Sequence, residues 1–386
     1  MTDSRSGNTR LNTDPGAVKG KTDVSRRLRI PPAAAALILA LCPAAAFCRS
    51  PAGVGKSVIR AISASQPSAP FESHGDLWFS TWADDGTVFV SWGDGYGPGF
   101  GAGTPFSHHG LARLRGVFPD VRAEVARRFM PLSDDENNSK PTSLLFHEGR
   151  LYAAVHSPLL FPRMGFTAYS DDYGATFSYD PAGARTRERN PAFVCLIFVN
   201  MGKGSGAGPG GFVYAFGMPA EVNVSGEVYL ARMPGDGILD EASWTYFAGL
   251  DAAGAPVWSG NPAEAERIES LSSRRYSSLF PNMLFSAAYH PGIERYLVMT
   301  ATTAEGRLYE APAPWGVWRL AGKWFEGAGS EWYGAYMPGI ITKDMGADYF
   351  YFAAGGRTAL DPAPGDEKYS FRLGKITMVL EEAAGE

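Results

Sequence analysis

An apolar strand, a tight turn and a second apolar strand recur five times along this 386-residue chain, and that recurrence limits the folds open to it. The first unit runs over 77–82, turns at Asp84-Asp85-Gly86 and returns over 88–92. Asp-Gly between apolar runs signals a hairpin, because glycine takes the left-handed φ that tight turns need. Matching pairs fall at 142–146 with 151–155, 193–199 with 212–216, 283–289 with 295–300, and 336–342 with 349–353. Looser strands lie between them at 167–170 with 176–179, 227–232 with 244–247, and 306–310 with 318–320; 371–380 closes the chain. Units of about 60 residues predict an all-β protein, a five-bladed β-propeller of four-stranded antiparallel blades that protects its strand edges by closing a ring. A large sandwich would not call for five matching hairpins. The 46 glycines and 28 prolines, beside 45% hydrophobic residues, fit a sizeable core joined by many turns.

The formal charge of −5 leaves no basic excess to neutralise phosphates, so no nucleic-acid partner is expected. Three cysteines exclude a disulfide framework. Residues 1–48 read as a targeting segment: Arg26, Arg27 and Arg29, then an apolar run over 33–41, then Ala44-Ala45-Ala46. That run is short of the roughly 20 residues a bilayer span needs, so a cleaved leader is preferred to an anchor. A secreted or cell-envelope location follows, with no stable membrane insertion once the leader is cut. Residues 49–70 read as a linker and 71–386 as the propeller. Gly53-Val54-Gly55-Lys56-Ser57 resembles the end of a phosphate-binding loop, but Ser50 stands where its first Gly belongs and no strand precedes it. If the leader is cut, only Cys195 remains, and its apolar neighbours predict a buried, inert thiol.

Ser170-Asp171-Asp172-Tyr173-Gly174-Ala175-Thr176-Phe177 fits the Asp-box pattern of sialidase-like propellers, which assigns Asp172 a structural role. Further stretches carry a family likeness: Gly75-Asp76-Leu77-Trp78 through Trp92-Gly93-Asp94-Gly95, then Tyr246 to Asp251 with Pro256-Val257-Trp258, then Tyr309-Glu310-Ala311-Pro312 with Pro314-Trp315-Gly316-Val317-Trp318. Together they resemble the secreted propellers filed as domain of unknown function 4185, over most of 71–380. Those are similar to five-bladed furanosidase propellers, and some members hydrolyse D-arabinan. The resemblance implies an exported protein whose partner is a polysaccharide.

Strand polarity turns this into a site. Residues at the start of a first strand and at the end of a second share one face of a propeller. That places Asp76, Lys140, Asn282 and Tyr336, from strand starts, with Asp94 and His156, from strand ends. Glycoside cleavage needs two carboxyl groups, one giving a proton and one ionised. Asp76 is the expected base. Asp94 is either the acid or a neighbour raising Asp76 by like charge; Glu227, Glu269 and Glu310 are other acid candidates. Trp78, Trp92 and Tyr96, with Phe100, are candidate platforms for sugar rings. The tract 95–103 is expected to be a loop over the pocket. His74, His108 and His109 could cluster, but adjacent imidazoles point apart, so no transition metal is expected; a structural calcium would need carbonyls and carboxylates. No cofactor is expected, and Gly206 to Gly211 lacks the helix a dinucleotide site requires. The resulting expectation is a monomeric, exported glycoside hydrolase acting on a furanose-rich, arabinan-like polysaccharide by carboxylate catalysis. Inversion is what the family's relatives imply. The alternative is a non-catalytic glycan-binding or cell-surface propeller.

Overall fold

The computed structural model describes residues 58–101, 103–127, 139–157, 164–186, 188–219, 226–272, 284–302, 304–356 and 365–381. The expected targeting segment and Asn282 lie outside them. The described chain opens with β1 (Ile59–Ala64). A first antiparallel meander follows: β2 (Ser73–Asp76) and β3 (Ser80–Trp82) share the long β4 (Val88–Pro98), and β5 (Gly110–Val117) and β6 (Asp120–Arg127) continue outward. The second contains β7 (Lys140–His147), β8 (Arg150–Ser157) and β9 (Met164–Ser170), with the short β10 (Ser178–Tyr179) and β11 (Arg185–Thr186) both on β9. The third holds β12 (Cys195–Asn200), β13 (Phe212–Met218), β14 (Tyr229–Pro234), β15 (Thr245–Leu250) and β16 (Pro256–Ser259). The fourth holds β17 (Ser286–His290), β18 (Arg295–Ala301), β19 (Glu305–Ala311) and β20 (Arg319–Glu326). The last holds β21 (Ala335–Ile341), β22 (Tyr349–Gly356) and β23 (Arg372–Leu380), whose outer neighbour is β1.

β1 corrects the linker expected over 49–70. Ile59 is buried and Ile62 half-buried, so this strand, irregular between Ile59 and Ala61, covers the edge of β23, with Ile62 opposite Met378, and an uncovered edge would be open to other chains. Likewise β5 and β6 form an outer pair that the hydrophobic pattern did not reveal. Their outward faces carry Arg113, Arg115, Arg122 and Glu124, so the apolar signal is thin.

The innermost strands explain the ring. β3 lies against β7, β7 against β12, β12 against β17, β17 against β21, and β21 against β3. All of β7 and β12 is buried, because each has neighbours on both faces, and such strands read as continuous apolar runs. One edge of each innermost strand has little sheet partner, yet buried backbone groups need bonds. Serine and threonine side chains supply many of them. Ser80 Oγ donates to Ile340 O at 3.0 Å, Ser286 Oγ accepts from Ile340 N at 2.9 Å, and Ser143 Oγ accepts from Phe198 N at 3.0 Å. Thr81 Oγ1 donates to Asn200 Oδ1 at 2.7 Å and accepts from Phe146 N at 2.8 Å, tying three meanders. Each bond is worth about 1 kcal/mol net, and more if only one partner is removed. Gly339 permits the same closeness, since a Cβ there would lie 2.1 Å from Trp78 O.

Candidate functional site

Three of the first strands begin with the same distortion. The β2–β4 register slips between His74 and Asp76, β7–β8 between Pro141 and Ser143, and β21–β22 between Tyr336 and Gly339. Bulges re-aim side chains. Asp76 and Tyr336 occupy corresponding places in two meanders, and each precedes a left-handed residue, Leu77 at φ 58° and Met337 at φ 49°. Such conformations cost of order 1–3 kcal/mol in non-glycine residues and persist where packing enforces them. The result is direct contact: Tyr336 Oη donates to Asp76 Oδ2 at 2.7 Å. Asp76 is buried, and among the described residues its Oδ1 meets no hydrogen-bond partner.

Asp94, also left-handed at φ 46°, reaches the same region from β4. The glycines beside it make this approach possible. A Cβ on Gly93 would lie 2.4 Å from Leu77 Cδ1 and 3.0 Å from Asp76 Oδ1; one on Gly95 would lie 2.2 Å from His74 O. Asp94 Oδ1 gathers two nitrogens. Lys140 Nζ donates to it, and His108 Nδ1 lies 2.7 Å away. Lys140 Nζ and His108 Nδ1 are themselves 3.1 Å apart. Burial, and next the Asp94 charge, push the Asp76 carboxyl from its ordinary 3.8 up to about 6. Hydrogen bonds from Tyr336 and Tyr369, and the Lys140 charge, act in the opposite sense.

Of the expected residues, the fold thus brings Asp76, Asp94, Lys140 and Tyr336 together. His156 is buried beside them, directly across from Lys140 in the β7–β8 register. Tyr96 is half-buried on an aromatic ledge, 6.1 Å from Phe100 and 5.9 Å from Phe106 between ring centroids. Phe106 is 38% exposed and meets the His108 ring edge-on at 5.1 Å. Sequence reasoning missed His108 as a partner of Asp94 and Tyr369 as a neighbour of Asp76. The only signal for His108 was its place just after the aromatic tract.

Two platform expectations are corrected. Trp78 is fully buried, donates from Nε1 to Gly75 O at 3.0 Å and meets Phe371 edge-on. Trp92 is 3% exposed, and a Cβ on Gly110 would lie 2.1 Å from its ring. Both indoles fill the core between the first and last meanders, packed with Ile341, Phe371 and Leu373. The first part of tract 95–103 is likewise no free loop: β4 extends to Pro98 and packs on β2. Glu310 is buried far out in its sheet, where Oε1 accepts from Ile59 N at 3.3 Å, so it is no acid candidate. Glu227 and Glu269 both pair with Arg267. The three histidines diverge: His74 packs against Tyr96, Phe100 and Tyr369, His108 faces Asp94, and His109 Nδ1 lies 3.2 Å from Ser139 O. Among the described residues, no three His, Cys, Asp or Glu side chains are grouped to hold a metal. Cys195 is buried, which pushes its thiol up. Asp172 closes its own turn, accepting from Thr176 N at 2.8 Å and Thr176 Oγ1 at 2.6 Å, which hold its carboxyl down at about 2.

Residues 74–354 match the family described as Domain of unknown function (DUF4185). The chain belongs to that family. Solved structures resemble it at low identity. A Bacteroides ovatus protein suggested to be a hydrolase is 12% identical, with a TM-score of 0.51, covering 79% of this chain and 86% of its own. A GH43_1 enzyme from Xanthomonas citri complexed with xylotriose is 13% identical, with a TM-score of 0.48, covering 83% and 91%. The α-L-arabinofuranosidase PaAbf62A from Podospora anserina, complexed with cellotriose, is 12% identical, with a TM-score of 0.44, covering 83% and 98%. At these identities the likeness is one of fold. No curated protein matches the chain by sequence. In this family member the Gly-Asp-Leu-Trp and Trp-Gly-Asp-Gly stretches of the first meander supply Asp76 and Asp94, and both lie inside the matched region.

Proposed function

We propose that this DUF4185 protein is a glycoside hydrolase, exported by its amino-terminal segment, that cleaves a furanose-rich, arabinan-like polysaccharide. The observation that carries the proposal is the state of Asp76. A buried carboxyl with one oxygen fixed by Tyr336 and the other unpartnered, its pKa raised to about 6, is poised for proton transfer near neutral pH. In this reading Asp76 is the base, with Oδ2 held by Tyr336 and Oδ1 kept for the proton it takes. Asp94 is the second carboxyl, a charged neighbour anchored at Oδ1 by Lys140 and His108. Its charge is part of what raises Asp76. Tyr96 and Phe106 offer aromatic surface beside this pair, with Phe106 the more exposed, and a sugar ring has an apolar face to lay on it.

The test is release of reducing ends from arabinan-type glycans by the purified protein, beside Asp76→Asn and Asp94→Asn. Activity in the wild type, with a loss of about a thousandfold or more in each variant, is the expected result; removing a general acid or base costs 10²–10⁴-fold. Equal activity in wild type and Asp76→Asn would remove Asp76 from the mechanism. Binding without product across a broad glycan panel would leave a glycan-binding propeller. The anomer of the first product, read by proton NMR, decides whether the expected inversion holds: inverting sites keep their carboxyls roughly 6.5–9.5 Å apart and retaining sites about 5 Å.

A further inference from the structure

A second cavity opens at the other ends of the inner strands, away from Asp76. It holds about 220 Å³ and is lined by Asp84, His147, Glu148, Gly149, Gly206 and Gly235, among others. These come from the turn after β3, the β7–β8 turn, the glycine-rich β12–β13 connection and the turn after β14. His147 forms its buried base, with a side chain 4% exposed. Its Nδ1 lies 2.7 Å from Ser205 O. A carbonyl only accepts, so Nδ1 carries the hydrogen, and in the neutral ring Nε2 keeps a lone pair. That Nε2 is buried and has no hydrogen-bond partner among the described residues. It faces two lining residues: Glu148 Oε1 at 4.0 Å, and Gly235, where a Cβ would sit 2.3 Å away.

The side-chain polar groups here share one character. Asp84 and Glu148 are anionic acceptors at the rim, and Nε2 is a neutral acceptor at the base. Tyr173 Oη, 3.0 Å from Asp84 Oδ1, uses one of those acceptor positions. An acceptor-lined cavity with two negative charges is complementary to a group that donates only and carries positive charge. A primary ammonium, with three N–H donors and no acceptor, has that chemistry. A metal ion does not suit the same residues, because no three of them are grouped closely enough to ligate one. The volume admits one small molecule and falls below the usual range for larger ligands.

We propose that this cavity binds a small hydroxylated primary amine, its ammonium seated between Glu148 and His147 Nε2, with the Asp84 charge on the same lining. The probe is D-glucosamine, with D-glucose as the control that carries a hydroxyl in place of the ammonium. Both are titrated into the full-length protein at pH 7 by calorimetry. Glucosamine is expected to bind at least tenfold more tightly than glucose. Glu148→Gln and Asp84→Asn should each weaken it fivefold or more, and Gly235→Ala should abolish it by filling the space before Nε2. Gly235 has no left-handed φ, so alanine suits its backbone. Glu148 is 79% exposed, so Glu148→Gln keeps the test intact if Gly235→Ala fails to fold. Equal binding of the two sugars, no binding of glucosamine, or full binding by a folded Gly235→Ala or Glu148→Gln protein would overturn the proposal. Glycan hydrolysis at Asp76 has no part in any of these outcomes.

Discussion

Replacing Asp76 with Asn should make stability less dependent on pH while removing activity, and the size of the effect follows from its surroundings. The folded protein holds this carboxyl at about 6 instead of 3.8, chiefly because burial penalises the charged form. The rise from 3.8 to about 6 corresponds to about 3 kcal/mol. Below pH 3.8 both folded and unfolded chains carry the proton, and the site costs nothing through ionisation. Between about 4 and 6 the folded chain binds more protons than the unfolded one, so stability falls as pH rises. Above 6 both are ionised, and the full penalty of about 3 kcal/mol is present. Asn mimics the protonated form and cannot ionise. Any fixed cost of its amide in that buried place is the same at both pH values and cancels. Wild type should therefore lose about 2.4 kcal/mol relative to Asp76→Asn between pH 4 and pH 7, since a small part of the penalty is already present at pH 4. With an unfolding entropy of roughly 2.1 cal/mol/K per residue over a domain of about 320 residues, that is a relative melting shift of about 4 °C. Paired calorimetric scans of both proteins at the two pH values measure it. Parallel behaviour, with no relative shift, would refute the claim that the fold strains this carboxyl.

Tyr336→Phe removes a hydrogen bond to the charged form of Asp76, so the acidic limb of the kcat/KM profile for glycan hydrolysis should move up in pH, and melting should fall because a buried carboxyl oxygen loses its partner. Asp94→Ala removes a like charge and should lower the Asp76 pKa, which direct carbon-13 NMR titration of the carboxyl reads without need of activity. Lys140→Met removes an opposite charge and should raise it in the same measurement. Gly110→Ala forces a Cβ into the Trp92 ring and should cost about 3 kcal/mol or somewhat more in denaturant unfolding, since overpacking a filled core costs 1–3 kcal/mol and occasionally more; an unchanged midpoint would mean the indole has room to move.

Much of the fold was legible because it rests on local chemistry. Turn residues such as Asp85-Gly86 and Glu148-Gly149 sit between apolar runs, and strand period and turn type are properties of neighbouring residues. Strand polarity then put Asp76, Lys140 and Tyr336 on one face with Asp94, since direction along a hairpin needs no knowledge of packing. The failures share a cause. Trp78 and Trp92 sit near the carboxylates in sequence, yet which side of a strand faces the hub depends on the bulge between His74 and Asp76. β1 looked like linker because its partner, β23, is about 300 residues away in the chain.

The chain by itself therefore determined the strand repeat, the turns and the candidates for one polar face, because each depends on residues close in sequence. Only the closed ring decided which of those candidates meet. Tyr336 reaches Asp76 across 260 positions, and Lys140 and His108 converge on Asp94 from separate strands and loops. The raised pKa of Asp76 belongs to that level too: burial and a neighbouring charge are properties of packing, and no single segment carries them.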